Sequence, residues 1–213
     1  MKLWLNALVI GSAALTLTGC VINPRFSKLS ADEQRKRTPM ALPTDVASSP
    51  APAPKLESAS DVPVYMLDSQ KLMQMIDASD KSFFYVNLYT SYCKPCIAEF
   101  PAIMQMAEAN KQRMDVYLVN PQTWVQLDEA KEFLFSHHMT MPTYVLDLKK
   151  YGEEFQVTKR YRKFTDEIYA GHPEIAGFPA HLILNKQHKV IFAAVGAKNF
   201  NQQVLDSVMR VNP

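Results

Sequence analysis

Between Phe83 and Tyr89 the chain reads FFYVNLY, and after Thr90, Ser91 and Tyr92 it reaches Cys93, which Lys94 and Pro95 separate from Cys96. A short aromatic and apolar run of that kind is what a buried central strand requires. Two cysteines with two residues between them, at the start of a helix, can close a disulfide. A buried strand that runs straight into such a helix belongs to an α/β sheet, and it puts the pair just past the strand's C-terminal end, where open α/β sheets act. The 213 residues contain three cysteines, the third being Cys20. A structural disulfide framework needs more, so the isolated cysteine and the close pair read as separate devices, a lipid acceptor and a redox or metal motif.

At a helix start, free N–H groups and the positive end of the helix dipole stabilise a thiolate. A free cysteine with a pKa of about 8.5 is only a few per cent ionised at pH 7, whereas one lowered to about 7 is half ionised. Cys93 is therefore the expected attacking sulfur, and Cys96, one turn inward, the buried resolving thiol. Lys94 adds positive charge nearby. Pro95 suits a first helical turn, where its missing N–H has no intrahelical partner to lose. Zinc is the competing use of such a pair. It needs two further ligands, there is no second CxxC, and the adjacent His137 and His138 point different ways on a helix.

Around the pair the pattern is that of one α/β domain from about Val62 to the C-terminus. Helices are expected over Leu67–Ala78, from the cysteine motif to about Arg113, and over Trp124–His138. Strands are expected at Val116–Val119 and Thr143–Leu146. A hairpin follows, Ala180–Leu184 with Val190–Val195, and then a last helix from Phe200 with Asn199 and Gln202 as its cap. The polar and basic stretch 149–177 has no settled periodicity and reads as an insertion. The sum is a mixed central sheet flanked by helices, the thioredoxin arrangement.

The N-terminus carries an address. Lys2 precedes an interrupted apolar run from Leu3 to Leu17, shorter than the roughly 20 apolar residues of a membrane span, so residues 1–19 read as a signal peptide. Leu17-Thr18-Gly19-Cys20 resembles the bacterial lipobox, which implies acylation of Cys20 and a chain held on a membrane surface. Val21 after it favours the outer membrane in a Gram-negative cell. Residues 20–61 carry prolines at 24, 39, 43, 50, 52 and 54 among Ala, Ser and Thr and read as an extended linker, with an end-to-end reach on the order of 35 Å. A net charge of +2 provides no basic field for nucleic acid.

The stretch Tyr85-Val86-Asn87-Leu88-Tyr89-Thr90-Ser91-Tyr92-Cys93-Lys94-Pro95-Cys96-Ile97-Ala98-Glu99-Phe100-Pro101 resembles the TlpA/ResA type of membrane-tethered thiol-disulfide oxidoreductase. That pattern is an Asn-bearing strand, CxxC, then Glu and Pro on the helix. Tyr92 departs from it, since tryptophan usually precedes the first cysteine. A second match, Gly177-Phe178-Pro179-Ala180-His181-Leu182-Ile183-Leu184, resembles the family's cis-proline loop and following strand. The loop before Thr143, Met141-Pro142, is locally similar, but its place in the order of elements assigns the cis role to Pro179.

The resemblance implies a fold of thioredoxin type and a catalytic set of Cys93, Cys96 and Glu99, with Glu99 moving protons beside the buried thiol. It implies a substrate surface made of Tyr92, Lys94, Pro95, Phe178 and Pro179. It further implies protein thiols and disulfides as substrates, a membrane electron donor for a reducing enzyme, and no cofactor beyond the Cys93–Cys96 disulfide itself. Two other uses of the same residues remain open at this level. One is a copper carrier in which the thiolates are joined by Met139, Met141 or a histidine, and the other is a non-catalytic envelope adaptor. The basic run Lys159–Lys163 reads as a solvated face or a steering patch, and His172 and Glu174 as part of a turn or a substrate loop.

Overall fold

The structure is a computed structural model that describes residues 56–121, 127–139, 141–152, 157–170 and 175–212. The signal peptide, Cys20, most of the linker, Trp124, His172, Pro173 and Glu174 lie outside the described residues.

The chain order is β1 (Val64–Leu67), α1 (Ser69–Ala78), β2 (Phe83–Leu88), α2 (Lys94–Asn110), β3 (Met114–Asn120), α3 (Leu127–Ser136), β4 (Thr143–Leu146), α4 (Leu148–Tyr151), α5 (Val157–Ile168), β5 (Ala180–Asn185), β6 (Val190–Val195) and α6 (Gln202–Val211). The strands form one six-stranded sheet in the order β1-β4-β3-β2-β5-β6. β1, β4, β3 and β2 run parallel. β5 and β6 are antiparallel additions beyond β2. This is the thioredoxin fold, with β4 as an extra strand between β1 and β3.

All six residues of β2 are buried. Its side chains alternate between two cores, because successive strand residues point to opposite faces. Phe83 and Tyr85 join Phe100, Ile103 and Met106 of α2 and Leu205, Val208 and Met209 of α6. Phe84, Val86 and Leu88 face Leu72, Met75 and Ile76 of α1 and Phe164 and Ile168 of α5. Covering both faces removes the need for a polar side, which is why the strand reads as an unbroken apolar run.

Several sequence expectations need correction. A strand at Val64–Leu67 was not anticipated; four residues paired to β4 are too few to show a period. The helix expected from Leu67 begins at Ser69, because the Asp68 carboxylate accepts the Lys71 amide at 2.7 Å and caps it there. The last helix is capped neither by Asn199 nor by Gln202 but by Asn201, whose Oδ1 accepts the Val204 amide at 3.0 Å. The stretch 149–177 is not featureless: it holds the end of α4 and all of α5. Arg160 and Tyr161 of the basic run are buried, while Lys159, Arg162 and Lys163 are exposed.

Candidate active site

β2 ends at Leu88, the chain passes Thr90, whose carbonyl accepts the Cys93 amide at 3.1 Å, and α2 begins at Lys94. Cys93 is the residue that caps α2. Its Sγ accepts the backbone N–H of Cys96 at 3.3 Å, in the place a capping oxygen usually takes. The two cysteines are disulfide-bonded with Cα atoms 5.3 Å apart. Cys93 is half-buried and Cys96 fully buried. A thiol exchange partner can thus reach one sulfur and not the other. Lys94 and Pro95 occupy the exposed first turn, and Tyr92 is 58% exposed beside them, a large ring left open next to the reactive pair. Pro101, inside α2, leaves the Ile97 carbonyl without its usual i+4 donor.

The register of β5 on β2 brings the second motif to the same end of the sheet. Leu88 pairs antiparallel with Ala180, so Phe178 and Pro179, which precede Ala180, flank the end of β2 from which the cysteine loop departs. The Phe178–Pro179 peptide is cis, and the alternative loop at Pro142 is not. Phe178 packs against the core cluster that Cys93 also touches, and its ring meets Tyr161 of α5 edge to face at 5.0 Å. Gly177 precedes it at φ 153°, where a Cβ would stand 3.1 Å from Val195 Cγ1. The helix found in the unsettled stretch therefore props the loop. Its exposed basic residues Lys159, Arg162 and Lys163, with Asp166, line an open groove of about 640 Å³ that extends to Tyr92, the residue before Cys93. Arg160 turns inward, where its Nε and Nη2 donate to the Pro121 carbonyl at 2.9 and 2.7 Å.

Beneath the pair lies a polar cluster in an otherwise apolar core. Asn87 Nδ2 donates to Glu99 Oε1 at 3.2 Å and to Tyr85 Oη at 3.3 Å. Tyr85 Oη lies 2.8 Å from His181 Nδ1, and His181 Nε2 is 3.6 Å from Glu99 Oε2. Glu99 stands three residues beyond Cys96 on the same helix, a spacing that places both on one face. Burial pushes the Glu99 carboxyl up to about 7, against the pull of the Asn87 N–H. It also drives His181 down to about 4, against a nearby Gly196 carbonyl that favours the charged ring. At neutral pH His181 is uncharged, so its contact with Glu99 is a neutral imidazole beside a carboxyl rather than an ion pair.

The structure brings Tyr92, Cys93, Lys94, Pro95, Cys96, Phe178 and Pro179 to one end of the sheet, with Glu99 beneath. His181 was not singled out from the sequence, although it sits two residues past Pro179; a histidine inside an apolar strand, Ala180-His181-Leu182-Ile183-Leu184, was the available signal. Among the described residues no group of three or more His, Cys, Asp or Glu converges as a metal site. Met139 is buried in the core that also holds Cys96. No helix of the described residues is long and apolar enough to cross a membrane.

No protein-family model matches the chain, and no curated protein does. Solved structures do resemble it. StoA from Bacillus subtilis is 19% identical over 62% of this chain and 84% of its own, with a TM-score of 0.43. A DsbF homologue from Corynebacterium diphtheriae is 18% identical over 61% of this chain and 71% of its own, at 0.46. The thioredoxin domain of a thiol-disulfide oxidoreductase from Bacteroides vulgatus is 14% identical over 60% and 79%, at 0.45.

Proposed function

We propose that this chain is a thiol-disulfide oxidoreductase that reduces or exchanges disulfides of proteins outside the cytoplasm, tethered to the cell envelope by a lipid on Cys20. The observation that carries the reading is the capping of α2 by Cys93: a half-exposed sulfur at a helix N-terminus, bonded to a buried one in the next turn.

In the reduced enzyme the Cys93 thiolate attacks one sulfur of a substrate disulfide. A mixed disulfide forms, and the substrate's other sulfur leaves as a thiolate. Cys96 then gives up its proton and attacks Cys93 Sγ, which closes Cys93–Cys96 and releases the second substrate thiolate. Two electrons pass from the enzyme to the substrate. Glu99, three residues further along α2 and with its carboxyl pushed up to about 7 by burial, takes the Cys96 proton in this scheme. Tyr92, Lys94, Pro95, Phe178 and Pro179 form the docking surface, where an extended segment can lie along the start of β5. A membrane dithiol donor restores the reduced pair, since the surroundings are oxidising.

Reduction of insulin disulfides by the wild type, lost in Cys93→Ser, tests the activity, and a mixed disulfide trapped on Cys96→Ser identifies the substrate. A wild type that neither reduces nor exchanges disulfides overturns the proposal. The Cys93/Cys96 potential sets direction: about −270 mV marks a reductant, about −120 mV an oxidant.

A further inference from the structure

α5 has two faces. Tyr161, Phe164, Thr165 and Ile168 are buried, while Lys159, Arg162, Lys163 and Asp166 recur three or four residues apart and fall on one exposed stripe. At 1.5 Å per residue that stripe is about 10 Å long, the span of about three residues of extended chain. These four side chains line the open groove of about 640 Å³ that reaches Tyr92.

The groove is predominantly cationic. Among the described residues that line it the charges are those of Lys159, Arg162 and Lys163 against Asp166. The neighbouring Glu167 is turned away from them, its Oε2 accepting from Tyr151 Oη at 2.8 Å and pairing with Lys150 Nζ at 2.7 Å, both on α4. Lys159 is engaged within the chain, whereas Arg162 and Lys163 have no side-chain partner among the described residues. A guanidinium and an ammonium are thus left open on adjacent turns, and each suits a carboxylate.

Two contacts tie this groove to the exchange site. Tyr92, 58% exposed, stands at one end of it and precedes Cys93 in the chain. On the inner side of the same helix Tyr161 meets Phe178, the residue before the cis-proline, at 5.0 Å. We propose, on the reading of the chain as a thiol-disulfide oxidoreductase, that the α5 groove selects its substrates: it takes an acidic stretch of the substrate protein that flanks the cysteine bonded to Cys93, with carboxylates on Arg162 and Lys163. The position at Tyr92 favours a substrate chain, which must pass there, over a lipid surface, which need not. Exposed charge pairs of this kind speed encounter more than they change the chemistry, so the selection acts on the second-order rate constant and weakens with salt.

The reduced full chain, in an uncharged detergent, is mixed with disulfide-linked dimers of a short cysteine peptide that carries a run of Glu, Gln or Lys beside the cysteine. The enzyme dithiol becomes the Cys93–Cys96 disulfide, and the dimer takes up its two electrons and two protons as two peptide thiols, which are counted by chromatography. Each rate constant is divided by that of dithiothreitol with the same peptide, which removes intrinsic reactivity. At low ionic strength the Glu peptide should react about tenfold faster than the Gln peptide. The preference should disappear at about 1 M salt, where the Debye length is about 3 Å. Arg162→Gln with Lys163→Gln should erase it, and Arg162→Glu with Lys163→Glu should invert it in favour of the Lys peptide, an outcome that loss of folding cannot produce. A preference that survives in both double variants overturns the inference. So does binding to phosphatidylglycerol vesicles that the same variants weaken while the peptides show no preference, which assigns the groove to a lipid surface. Reduction of all three peptides at one normalised rate sinks this inference alone, whereas reduction of none sinks the proposed function and the inference with it.

Discussion

The backbone amide of Cys96 donates to Cys93 Sγ at 3.3 Å, so one cysteine caps the helix that carries the other. In the reduced enzyme the same N–H faces a thiolate, and a charged acceptor makes the stronger hydrogen bond. The local backbone therefore favours ionisation of Cys93 before any side chain is considered.

Cys93 in the reduced protein should alkylate with a pH midpoint below the roughly 8.5 of free cysteine. Iodoacetamide kinetics on Cys96→Ser, where Cys93 is the only thiol of the pair, measure it. A midpoint at or above 8.5 contradicts the nucleophile assignment.

Glu99→Gln should slow resolution of the mixed disulfide by about a hundredfold above neutral pH and remove the inflection that the wild type shows near pH 7. The stability effect has the opposite sign. The folded carboxyl titrates near 7 against an ordinary 4.5. Between those values the folded chain keeps a proton that the unfolded chain has lost, so stability falls as pH rises through that window. Urea unfolding at pH 8 should find Glu99→Gln more stable than wild type by on the order of 1–2 kcal/mol, a value reduced for residual solvent screening. The difference should vanish below pH 4.5.

His181 acts at the other end of the scale. Its folded pKa, about 4, lies below the ordinary 6.5. An unfolded chain takes up a proton there that the folded chain refuses, so this stability is present above pH 6.5 and lost as pH falls toward 4. His181→Gln should flatten the acid limb of a denaturation profile between those values, measured by circular dichroism. An unchanged limb would show that the ring is not buried neutral.

Tyr161→Ala withdraws the ring that meets Phe178 edge to face at 5.0 Å. Loss of a buried aromatic should cost about 3 kcal/mol in urea unfolding. Because Phe178 belongs to the proposed docking loop, KM for a protein disulfide should rise more than kcat falls. A matching fall in kcat with KM unchanged would remove α5 from substrate binding.

Cys20→Ser should move the protein from the membrane to the soluble fraction of an expressing bacterium, and mass spectrometry of the wild type should find an acylated Cys20 at the mature N-terminus. An unmodified cysteine there rules out the lipid tether.

Much of the fold was legible because its central pattern is local. FFYVNLY has the length and composition of a strand covered on both faces, and the hairpin Ala180–Leu184 with Val190–Val195 is bounded by its own turn residues. What escaped had no local signal. Val64–Leu67 is a strand because β4 lies beside it, and residues 157–168 form a helix whose inner face, Tyr161, Phe164 and Ile168, is hidden in sequence among Lys and Arg.

By itself the sequence determined the chemistry at hand: two cysteines at helical spacing, a glutamate one turn on, and a Phe-Pro pair before a strand, because each is a relation between near neighbours along the chain. Only the tertiary structure decided that His181, 82 residues beyond Glu99, faces it across 3.6 Å, and that Asn87 and Tyr85 orient both. A buried hydrogen-bond network is set by which strands lie side by side, and strand order is a property of the packed sheet that no stretch of neighbouring residues contains.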